Sequence, residues 1–565
     1  MIIAALAGAM IWATIAANSV QFSPEKLPQA AGVYDENGAR IDGYIEYDDI
    51  PRHLINAFLA VEDRRFYQHP GLDYMRIAGA AVENVKRGGY VEGGSTISQQ
   101  LIKNTHLSGE KSVSRKLKEA QLAGTLEQNY TKQHILEMYL NIIYMCDGVY
   151  GVKAAARRYF DKTCAELTLA ECALIAGVTK NPKRYSPVKD FESSLKRQKV
   201  VLAAMLKYGF IDEETHNKAC AECINIAAAP PVDAAAAYVK SALYEAESIL
   251  GGSVSGHKII TYMHPQAQRA LTFYSTHPAF AVTKEGQMCM SVCNKSRGVT
   301  ALYSNVPYPV FTVRRPPASI IKPAFSYAAA YGAGLSPGEI LPDLPADFNG
   351  YSPKNHRGKY RESLTLEDSL ALSSNIAALH LTKKVGLENC FDAAKRLGFT
   401  FDVKDASYAA ALGGLTYGST VVEIATAYAA IADGGTVKNV SFVKEIYSPD
   451  GQKIYCGGGV EKLQAITGKT TDLLLINLRR AVTHGTAKKL SELPFPVHAK
   501  TGTAEIKGNL NSDAWCVAGT RDNTLICWYG IYDPKTQTGT AFTGGGRPAM
   551  LAKYCLLSLN MCYND

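Results

Sequence analysis

The sequence from Arg315 to Pro323 reads RPPASIIKP, and it places Lys322 three residues after Ser319. In a helical turn this spacing puts both side chains on the same face, within reach of each other. A serine hydroxyl is a weak nucleophile at neutral pH and must transfer its proton to a neighbouring base. A Ser-x-x-Lys sequence alone is equally typical of an ordinary helix with a solvated lysine. The pair therefore indicates a nucleophile and its base only if further active-site residues accompany it.

Two such motifs follow, in the order that an active-site serine acyltransferase uses. The first is Ser373-Ser374-Asn375, about 50 residues after the serine, and the second is Lys500-Thr501-Gly502-Thr503, about 125 residues further on. We predict that Ser373 relays a proton to the leaving amine and that Asn375 holds a substrate amide. The third motif is expected to bind a carboxylate along a strand edge.

The residues around these motifs resemble the transpeptidase domain of penicillin-binding proteins. The resemblance includes Arg315-Pro316-Pro317-Ala318, Gly350-Tyr351-Ser352-Pro353-Lys354-Asn355, Leu412-Gly413-Gly414 and Asp513-Ala514-Trp515-Cys516-Val517. It implies that Ser319 attacks the penultimate D-Ala carbonyl, that backbone N–H groups of Ser319 and Thr503 form the oxyanion hole, and that β-lactams acylate the same serine. Ala318 stands where this family usually has glycine, which is expected to narrow the pocket slightly.

The amino-terminal half carries an independent set of motifs. Glu62–His69 reads EDRRFYQH, Gly93–Asn104 reads GGSTISQQLIKN, and Arg115–Glu119 reads RKLKE. Thr96, Gln100 and Lys103 are spaced i, i+4 and i+7, as in a polar stripe on one helix face. A surface helix shows the same spacing. Combined with two acidic residues far apart in sequence, however, the stripe predicts a cleft with a general base and cations for a phosphate-bearing leaving group.

These blocks resemble the glycosyltransferase domain of class A penicillin-binding proteins, and the resemblance runs from Gly38 to Gly209. It implies that Glu62 deprotonates the 4-hydroxyl of the acceptor sugar and that Glu119 assists on the diphosphate side. It further implies that Lys103 and Arg115 clamp the diphosphate. A divalent cation, Mg²⁺ or Mn²⁺, is expected near Glu119, with no metal ligands assigned and no organic cofactor. The residues expected to shape the site and bind substrate are Asp63, Phe66, His69, Thr96 and Gln100.

Length and composition fit a globular protein of two or more domains. The chain has 565 residues and a formal charge of +8, and one domain rarely exceeds about 250 residues. A mildly basic surface suits anionic lipid and diphosphate substrates, although solubility alone explains it equally well. No basic run, zinc-finger spacing or dinucleotide fingerprint indicates nucleic-acid or nucleotide binding.

Residues Met1–Val20 contain no charge, and about 20 apolar residues are enough to span a bilayer. A cleavable signal peptide and a buried helix are the alternatives. The segment lacks a basic n-region, which disfavours a secretory signal, although Ala16–Ser19 is similar to a cleavage site. We predict an uncleaved anchor over residues 1–22, a single pass through the cell membrane, and both catalytic domains outside the cytoplasm.

The thirteen cysteines are scattered and do not form a disulfide framework. Most of them, such as Cys172, Cys516, Cys527 and Cys555, lie in apolar stretches, which predicts small buried side chains. No metal site is assigned to them.

The pattern along the chain predicts three segments after the anchor. Residues 23–218 show helical periodicity and form the predicted glycosyltransferase domain, mostly α-helical and lysozyme-like by resemblance. Residues 219–256 are rich in Ala, Pro and Gly and are assigned as a linker, with one helix in Ala234–Leu250. Residues 257–565 alternate helices with β-rich stretches, which predicts an α/β transpeptidase domain with an antiparallel sheet flanked by helices.

The chain is thus identified as a member of the class A penicillin-binding proteins. The resemblance implies an enzyme that polymerises lipid II with inversion and then cross-links stem peptides by D,D-transpeptidation through an acyl-serine. Its expected partners are lipid II, nascent peptidoglycan, the membrane, β-lactams as covalent inhibitors, and proteins of division or elongation, with no nucleic acid. Two alternatives are a β-lactam or muropeptide sensor without turnover, and a serine hydrolase that uses water as acceptor.

Overall fold

The computed structural model describes residues 22–24, 27, 31–79, 94–107, 112–146, 149–227, 234–282, 286–457, 463–506, 510–531 and 542–562. The predicted anchor, except Phe22, lies outside these residues, as do Gly93 and residues 228–233 of the predicted linker. Within the described ranges, none of the helices combines the length and apolar character that crossing a membrane requires. The chain forms two compact units, one containing Gly43–Pro231 and the other containing Ala31–Asp42 with Val232–Asp565.

The first unit is helical, as the sequence periodicity predicts. Its centre is the helix Leu169–Val178, in which every residue after Leu169 is buried. A helix that is apolar on all sides has to be surrounded by other elements, and two other helices, Arg52–Glu62 and Phe191–Lys207, pack against it. The helices are α1 (Arg52–Glu62), α2 (Ile97–His106), α3 (Val113–Asn129), α4 (Lys132–Ile142), α5 (Val152–Phe160), α6 (Leu169–Val178), α7 (Pro182–Tyr185), α8 (Phe191–Lys207) and α9 (Glu213–Ala221).

The second unit is built on a five-stranded antiparallel sheet with the order β13-β14-β15-β3-β4. Alternate residues face opposite sides, so Trp515 and Val517 enter one hydrophobic core while Cys516 enters another. Helices cover both faces, which confirms the predicted sheet flanked by helices. The strands of this sheet are β3 (Gln287–Asn294), β4 (Val299–Ser304), β13 (His498–Glu505), β14 (Asn511–Gly519) and β15 (Asn523–Gly530).

A second sheet in this unit has the order β1-β2-β10-β11. Its first strand, Gly32–Tyr34, pairs in parallel with Lys258–Thr261. Residues 31–42 therefore belong to the second unit, although we assigned residues 23–218 as a whole to the first domain. The cause is a long-range strand pairing that no local sequence pattern reveals. The strands are β1 (Gly32–Tyr34), β2 (Lys258–Thr261), β10 (Val443–Tyr447) and β11 (Lys453–Cys456).

The remaining strands are two or three residues long and form two-stranded sheets. Helices pack around the sheets. The helix within the predicted linker, Ala236–Leu250, buries Tyr238, Ala242 and Ala246 in the core of the second unit. The short strands are β5 (Arg314–Arg315), β6 (Ile340–Pro342), β7 (Ser363–Thr365), β8 (Ser419–Thr420), β9 (Thr436–Val437) and β12 (Leu463–Gln464). The helices are α10 (Ala236–Leu250), α11 (Pro265–Thr276), α12 (Ala328–Gly332), α13 (Leu366–Ala371), α14 (Asn375–Val385), α15 (Leu387–Arg396), α16 (Val421–Ala432), α17 (Gly468–Thr483) and α18 (Arg547–Cys562).

The cysteines named in the sequence analysis are buried, as predicted, and their thiols are free. Cys516 and Cys527 are direct partners on β14 and β15, and burial raises the pKa of the Cys516 thiol to about 12. These residues fill the core as small apolar side chains.

Two candidate active sites

Ser319 lies in a tight 3₁₀ turn, Ala318–Ile321, between two glycines. A side chain at Gly413 would put its Cβ 2.4 Å from the backbone nitrogen of Ala318, and one at Gly502 would lie 3.0 Å from the Ile320 side chain. Both positions therefore need glycine for the turn to sit between them. Ala318 itself has a φ of 50°, in the left-handed region that favours glycine. This is the position where the sequence departs from the family pattern.

Lys322 is completely buried, and its Nζ donates hydrogen bonds to three acceptors. They are the Ser373 carbonyl at 2.9 Å, the Ser374 carbonyl at 3.1 Å and Asn375 Oδ1 at 2.7 Å. Burial lowers the pKa of Lys322 well below its usual value, and the charge of Lys500 lowers it further, whereas Asp343 opposes the shift. The first and second sequence motifs thus meet at this amine. Among the described residues, the hydrogen bonds of Lys322 do not include one to the Ser319 hydroxyl.

Lys500 brings the third motif to the second. It is fully buried, and its Nζ donates to Ser373 Oγ at 2.7 Å and to the Thr501 carbonyl at 2.8 Å. Burial lowers the pKa of Lys500 to about 7. Ser373 has a φ of 60°, so a strained backbone aims its hydroxyl at this amine.

A buried network that the sequence analysis missed supports the second motif. Asp343 accepts hydrogen bonds from the Ser374 hydroxyl and, at 2.8 Å, from Asn355 Nδ2. Asn355 Oδ1 in turn accepts from the backbone N–H of Asn375 at 2.8 Å. Asn355 was part of a quoted block without a role, and Asp343 had no motif to mark it. The network fixes the start of α14 next to Lys322.

These residues surround one cavity of about 770 Å³, here called the serine cavity. Lys322 and Lys500 are buried behind its wall, so the structure brings together all the residues predicted for this site. The predicted residues that line it are Ser319, Ser373, Asn375, Thr501, Gly502 and Thr503.

The second candidate site lies in the first unit, where Glu62 ends α1. Gln100 Nε2 donates to Glu62 Oε2 at 2.8 Å, and the Thr179 hydroxyl lies 2.9 Å from Glu62 Oε1. Gln100 also accepts a hydrogen bond from the Tyr139 hydroxyl at 3.3 Å. Burial raises the pKa of Tyr139 well above its usual value, and the charges of Glu62 and Asp63 add to this shift. Both oxygens of the Glu62 carboxylate are therefore held in a fixed orientation.

Asp63 and Thr96 hold the local backbone. Asp63 is fully buried and accepts from His69 Nε2 and from the Ile97 backbone N–H, each at 3.0 Å. Thr96 caps α2 through a reciprocal capping box with Gln99. Phe66 is buried in the core beside them. Of the three residues in the predicted polar stripe, Gln100 and Lys103 line a cavity, whereas Thr96 is buried as the helix cap.

Glu119 is 1% exposed and pairs with two cations. Arg115 Nη1 lies 2.8 Å from Glu119 Oε2, and Lys116 pairs with the other carboxylate oxygen. Lys116 also donates to Ser95 Oγ at 2.7 Å; the sequence analysis gave it no role. Because both oxygens of the Glu119 carboxylate are paired with cations, Glu119 does not offer the free oxygen donor that Mg²⁺ or Mn²⁺ prefers.

Glu62 and Glu119 line a cavity of about 430 Å³, here called the Glu62 cavity. A neighbouring cavity of about 570 Å³ shares Gln100 and Lys103 with it. Four basic side chains line the Glu62 cavity, and their charge suits an anionic ligand. Arg115, which was predicted to bind the diphosphate, does not line this cavity. Of the two predicted diphosphate ligands, Lys103 and Arg115, only Lys103 is among these four; the other three are Arg76, Lys180 and Arg197.

Comparisons with known proteins agree with this geometry. A transglycosylase family model matches residues 32–206, and a penicillin-binding protein transpeptidase model matches residues 280–549. Penicillin-binding protein 1F of Bacillus subtilis is 30% identical over 550 residues, covering 93% of this chain and 75% of that protein. Penicillin-binding protein 1A of Streptococcus oralis is 30% identical over 594 residues, covering 95% and 92%.

A solved structure supports the fold. The crystal structure of penicillin-binding protein 1A from Haemophilus influenzae matches with a TM-score of 0.51 and 20% identity, over 94% of this chain and 92% of that one.

Proposed function

This chain belongs to the class A penicillin-binding proteins, the bifunctional peptidoglycan synthases that β-lactams target, and we propose that its two cavities are the sites of its two reactions. The chain has peptidoglycan glycosyltransferase and D,D-transpeptidase activity. The assignment of individual residues to these reactions rests on the contacts described above. The observation that carries it is the convergence of the second and third motifs on two buried lysines behind Ser319.

In the serine cavity, Ser319 Oγ attacks the carbonyl carbon of the penultimate D-Ala. Its proton passes to the neutral form of Lys322, whose pKa burial lowers, and the backbone N–H groups of Ser319 and Thr503 stabilise the oxyanion. Collapse of the adduct breaks the peptide bond and releases D-Ala, whose amine takes a proton through Ser373 and Lys500. An amine of a neighbouring stem peptide then attacks the acyl carbon and loses its proton through Ser373 to Lys500, while the bond to Ser319 Oγ breaks and Lys322 returns the proton to Ser319.

The other groups of this cavity hold the donor. Thr501 and Thr503 on β13 bind the terminal carboxylate, with Lys500 supplying positive charge behind them. Asn375 orients an amide of the donor peptide.

In the Glu62 cavity, Glu62 accepts the proton of the acceptor 4-hydroxyl. The freed oxygen forms a bond to the anomeric carbon of the donor with inversion, while the bond to the diphosphate oxygen breaks and the diphosphate leaves with the electron pair. Lys103 stabilises the developing negative charge. Arg115 and Lys116, held together by Glu119, add positive charge on this side. The contacts of Gln100 and Thr179 with the two oxygens of the Glu62 carboxylate support its assignment as the base, because they hold the carboxylate in one orientation.

We further propose lipid II and nascent peptidoglycan as the substrates, and proteins of cell division or elongation as partners. We propose a single-pass membrane anchor in residues 1–22, of which the first 20 carry no charge, with both catalytic domains extracytoplasmic. Dependence on Mg²⁺ or Mn²⁺ remains an expectation from the family, and no step is assigned to it because the Glu119 carboxylate is already paired.

Incubation of the purified full chain with labelled lipid II, with and without penicillin, tests these proposals. We expect glycan strands under both conditions and cross-linked muropeptides only without penicillin. Cross-links that persist after Ser319 is fully acylated would refute the assignment of the serine cavity. Peptides that are trimmed but never cross-linked would indicate a hydrolase, and penicillin labelling without any turnover would indicate a sensor.

A further inference from the structure

The mouth of the serine cavity carries a short run of cations, Lys354–Lys359, here called the basic loop. Lys354, His356 and Arg357 line the cavity together with Ser319. Glu505 is the one acidic residue in the same lining, and it is engaged by His356, whose Nδ1 lies 3.1 Å from its Oε1. Within the described part of the chain, neither Lys354 nor Arg357 has a carboxylate at ion-pair distance. The wall thus presents two cations, Lys354 and Arg357, and the single carboxylate of Glu505.

The basic loop is held firmly beside the reacting residues. The Lys354 carbonyl accepts a hydrogen bond from Asn375 Nδ2 at 2.8 Å, and Asn355, the next residue, is buried in the Asp343 network. The His356 contact ties the loop to Glu505 at the end of β13. The basic loop therefore has a fixed position relative to Asn375 and to β13, the strand that carries the third motif.

Arg357 has an unusual backbone for its residue type. Its φ is 58° and its ψ is 23°, and Gly358 follows with a φ of 64°. Few residues other than glycine adopt this left-handed conformation, and those that do are concentrated at binding and catalytic sites. A glycine or asparagine would adopt it with less strain, so the arginine is present at a cost in stability. Its side chain supplies charge at the mouth of the cavity.

The strand β13 is an edge strand of the five-stranded sheet. An extended peptide binds readily to such an edge through backbone hydrogen bonds, and side-chain contacts then provide specificity. A donor peptide on this edge has its terminal carboxylate at Thr501 and Thr503, and the rest of it passes the basic loop. The charges of Lys354 and Arg357 then face a part of the peptide away from the reacting bond.

We propose that Lys354 and Arg357 form a subsite for a free carboxylate of the stem peptide, on the residue that precedes the terminal D-Ala-D-Ala. This inference rests on the proposed function of the serine cavity. It assigns a specificity to the donor: a third residue that carries a side-chain carboxylate is preferred over the same residue as its amide. Charge-assisted hydrogen bonds from a guanidinium are stronger than neutral ones and fit a carboxylate in two-point geometry.

Two synthetic pentapeptide donors, identical except for a free acid or a primary amide on the third residue, test the subsite. The measured quantity is the ratio of their kcat/KM values for D-Ala release by the full chain at low salt. We expect the free acid to be favoured about fivefold to tenfold, as for one net hydrogen bond of ordinary strength. The preference should shrink as salt rises, because the two cations are exposed.

Variants locate the preference on the basic loop. Lys354→Gln with Arg357→Asn removes both charges, and asparagine suits the left-handed backbone, so the ratio should fall to near one. The control is Lys359→Gln, an exposed cation of the same loop that does not line the cavity; its ratio should match that of the unmodified chain. The thermal unfolding midpoint of each full-chain variant verifies that it is folded.

A ratio of one in the unmodified chain, or an undiminished preference in the double variant, would overturn the subsite. An equal loss of preference in Lys359→Gln would show a diffuse charge effect and would overturn it as well. If neither peptide releases D-Ala although penicillin labels Ser319, the proposed function of the cavity fails, and the subsite fails with it.

Discussion

Replacement of Lys322 by methionine tests the proton acceptor of the serine cavity. The substitution keeps most of the side-chain volume and removes the amine. In the structure the Nζ donates to three acceptors, the Ser373 and Ser374 carbonyls and Asn375 Oδ1. An ammonium group has three hydrogens for them, whereas a neutral amine has two and a lone pair. Neutral Lys322 must therefore give up one of these contacts to receive the proton of Ser319.

The substitution is expected to change two quantities, the rate of acylation by penicillin and the free energy of unfolding. Loss of a general base lowers the rate by about 10² to 10⁴, and we expect acylation by penicillin to fall within this range. Buried acceptors that lose their donor each cost about 1 to 3 kcal/mol. Removal of a buried cation next to Lys500 offsets part of that cost. The net loss in the free energy of unfolding should thus be only a few kcal/mol, and the variant should fold.

The assay is the second-order rate of acylation by fluorescent penicillin between pH 5 and pH 10. Burial lowers the pKa values of both lysines, that of Lys500 to about 7, and the neutral form is the active base. The wild-type rate should rise with pH through an apparent pKa that belongs to the pair, whereas Lys322→Met should be slow and nearly flat. Lys383→Met, an exposed lysine on α14, is the control and should behave as wild type.

A wild-type rate in Lys322→Met, or a wild-type profile that does not rise with pH, would refute the assignment of Lys322.

Three further substitutions test the Glu62 cavity and the nucleophile turn. Glu62→Gln keeps the shape but cannot accept a proton, so polymerisation of lipid II should fall about 10² to 10⁴-fold while penicillin labelling of Ser319 persists; near-normal polymerisation would remove Glu62 as the base. Arg115→Ala should lower polymerisation at least tenfold, since its positive charge beside Glu119 stabilises the charge that develops on the leaving diphosphate, and Lys116 still pairs with Glu119, so the unfolding midpoint should hardly change. Arg157→Ala, which breaks an exposed i, i+4 pair with Asp161, is its control, and unchanged turnover by Arg115→Ala would return that residue to a surface role. Gly413→Ala places a Cβ 2.4 Å from Ala318 and should abolish acylation, whereas Gly434→Ala, with a φ of 63° and nothing within 4 Å of the added Cβ, should cost only about 1 to 2 kcal/mol; equal acylation in both would contradict the close packing of the turn.

Local sequence determined the chemical groups of both sites. Ser319 and Lys322 are neighbours in one turn, and Glu62 ends a helix whose apolar face is readable from its periodicity. The order of the three motifs identified the family, which the comparisons confirm, and the helical first half and the antiparallel sheet followed from residue patterns. These properties depend on residues that are close together along the chain.

The tertiary structure alone decided what surrounds those groups. Asp343 and Thr179 carry no motif, and they reach the sites through contacts with residues 31 and 117 positions away along the chain. The strand pairing that joins residues 31–42 to the second unit is of the same kind. Burial has the largest chemical effect, because a lysine changes from a solvated cation to a base only when water is excluded from it. That exclusion depends on the packing of remote elements around Lys322 and Lys500, which the spacing of motifs does not contain.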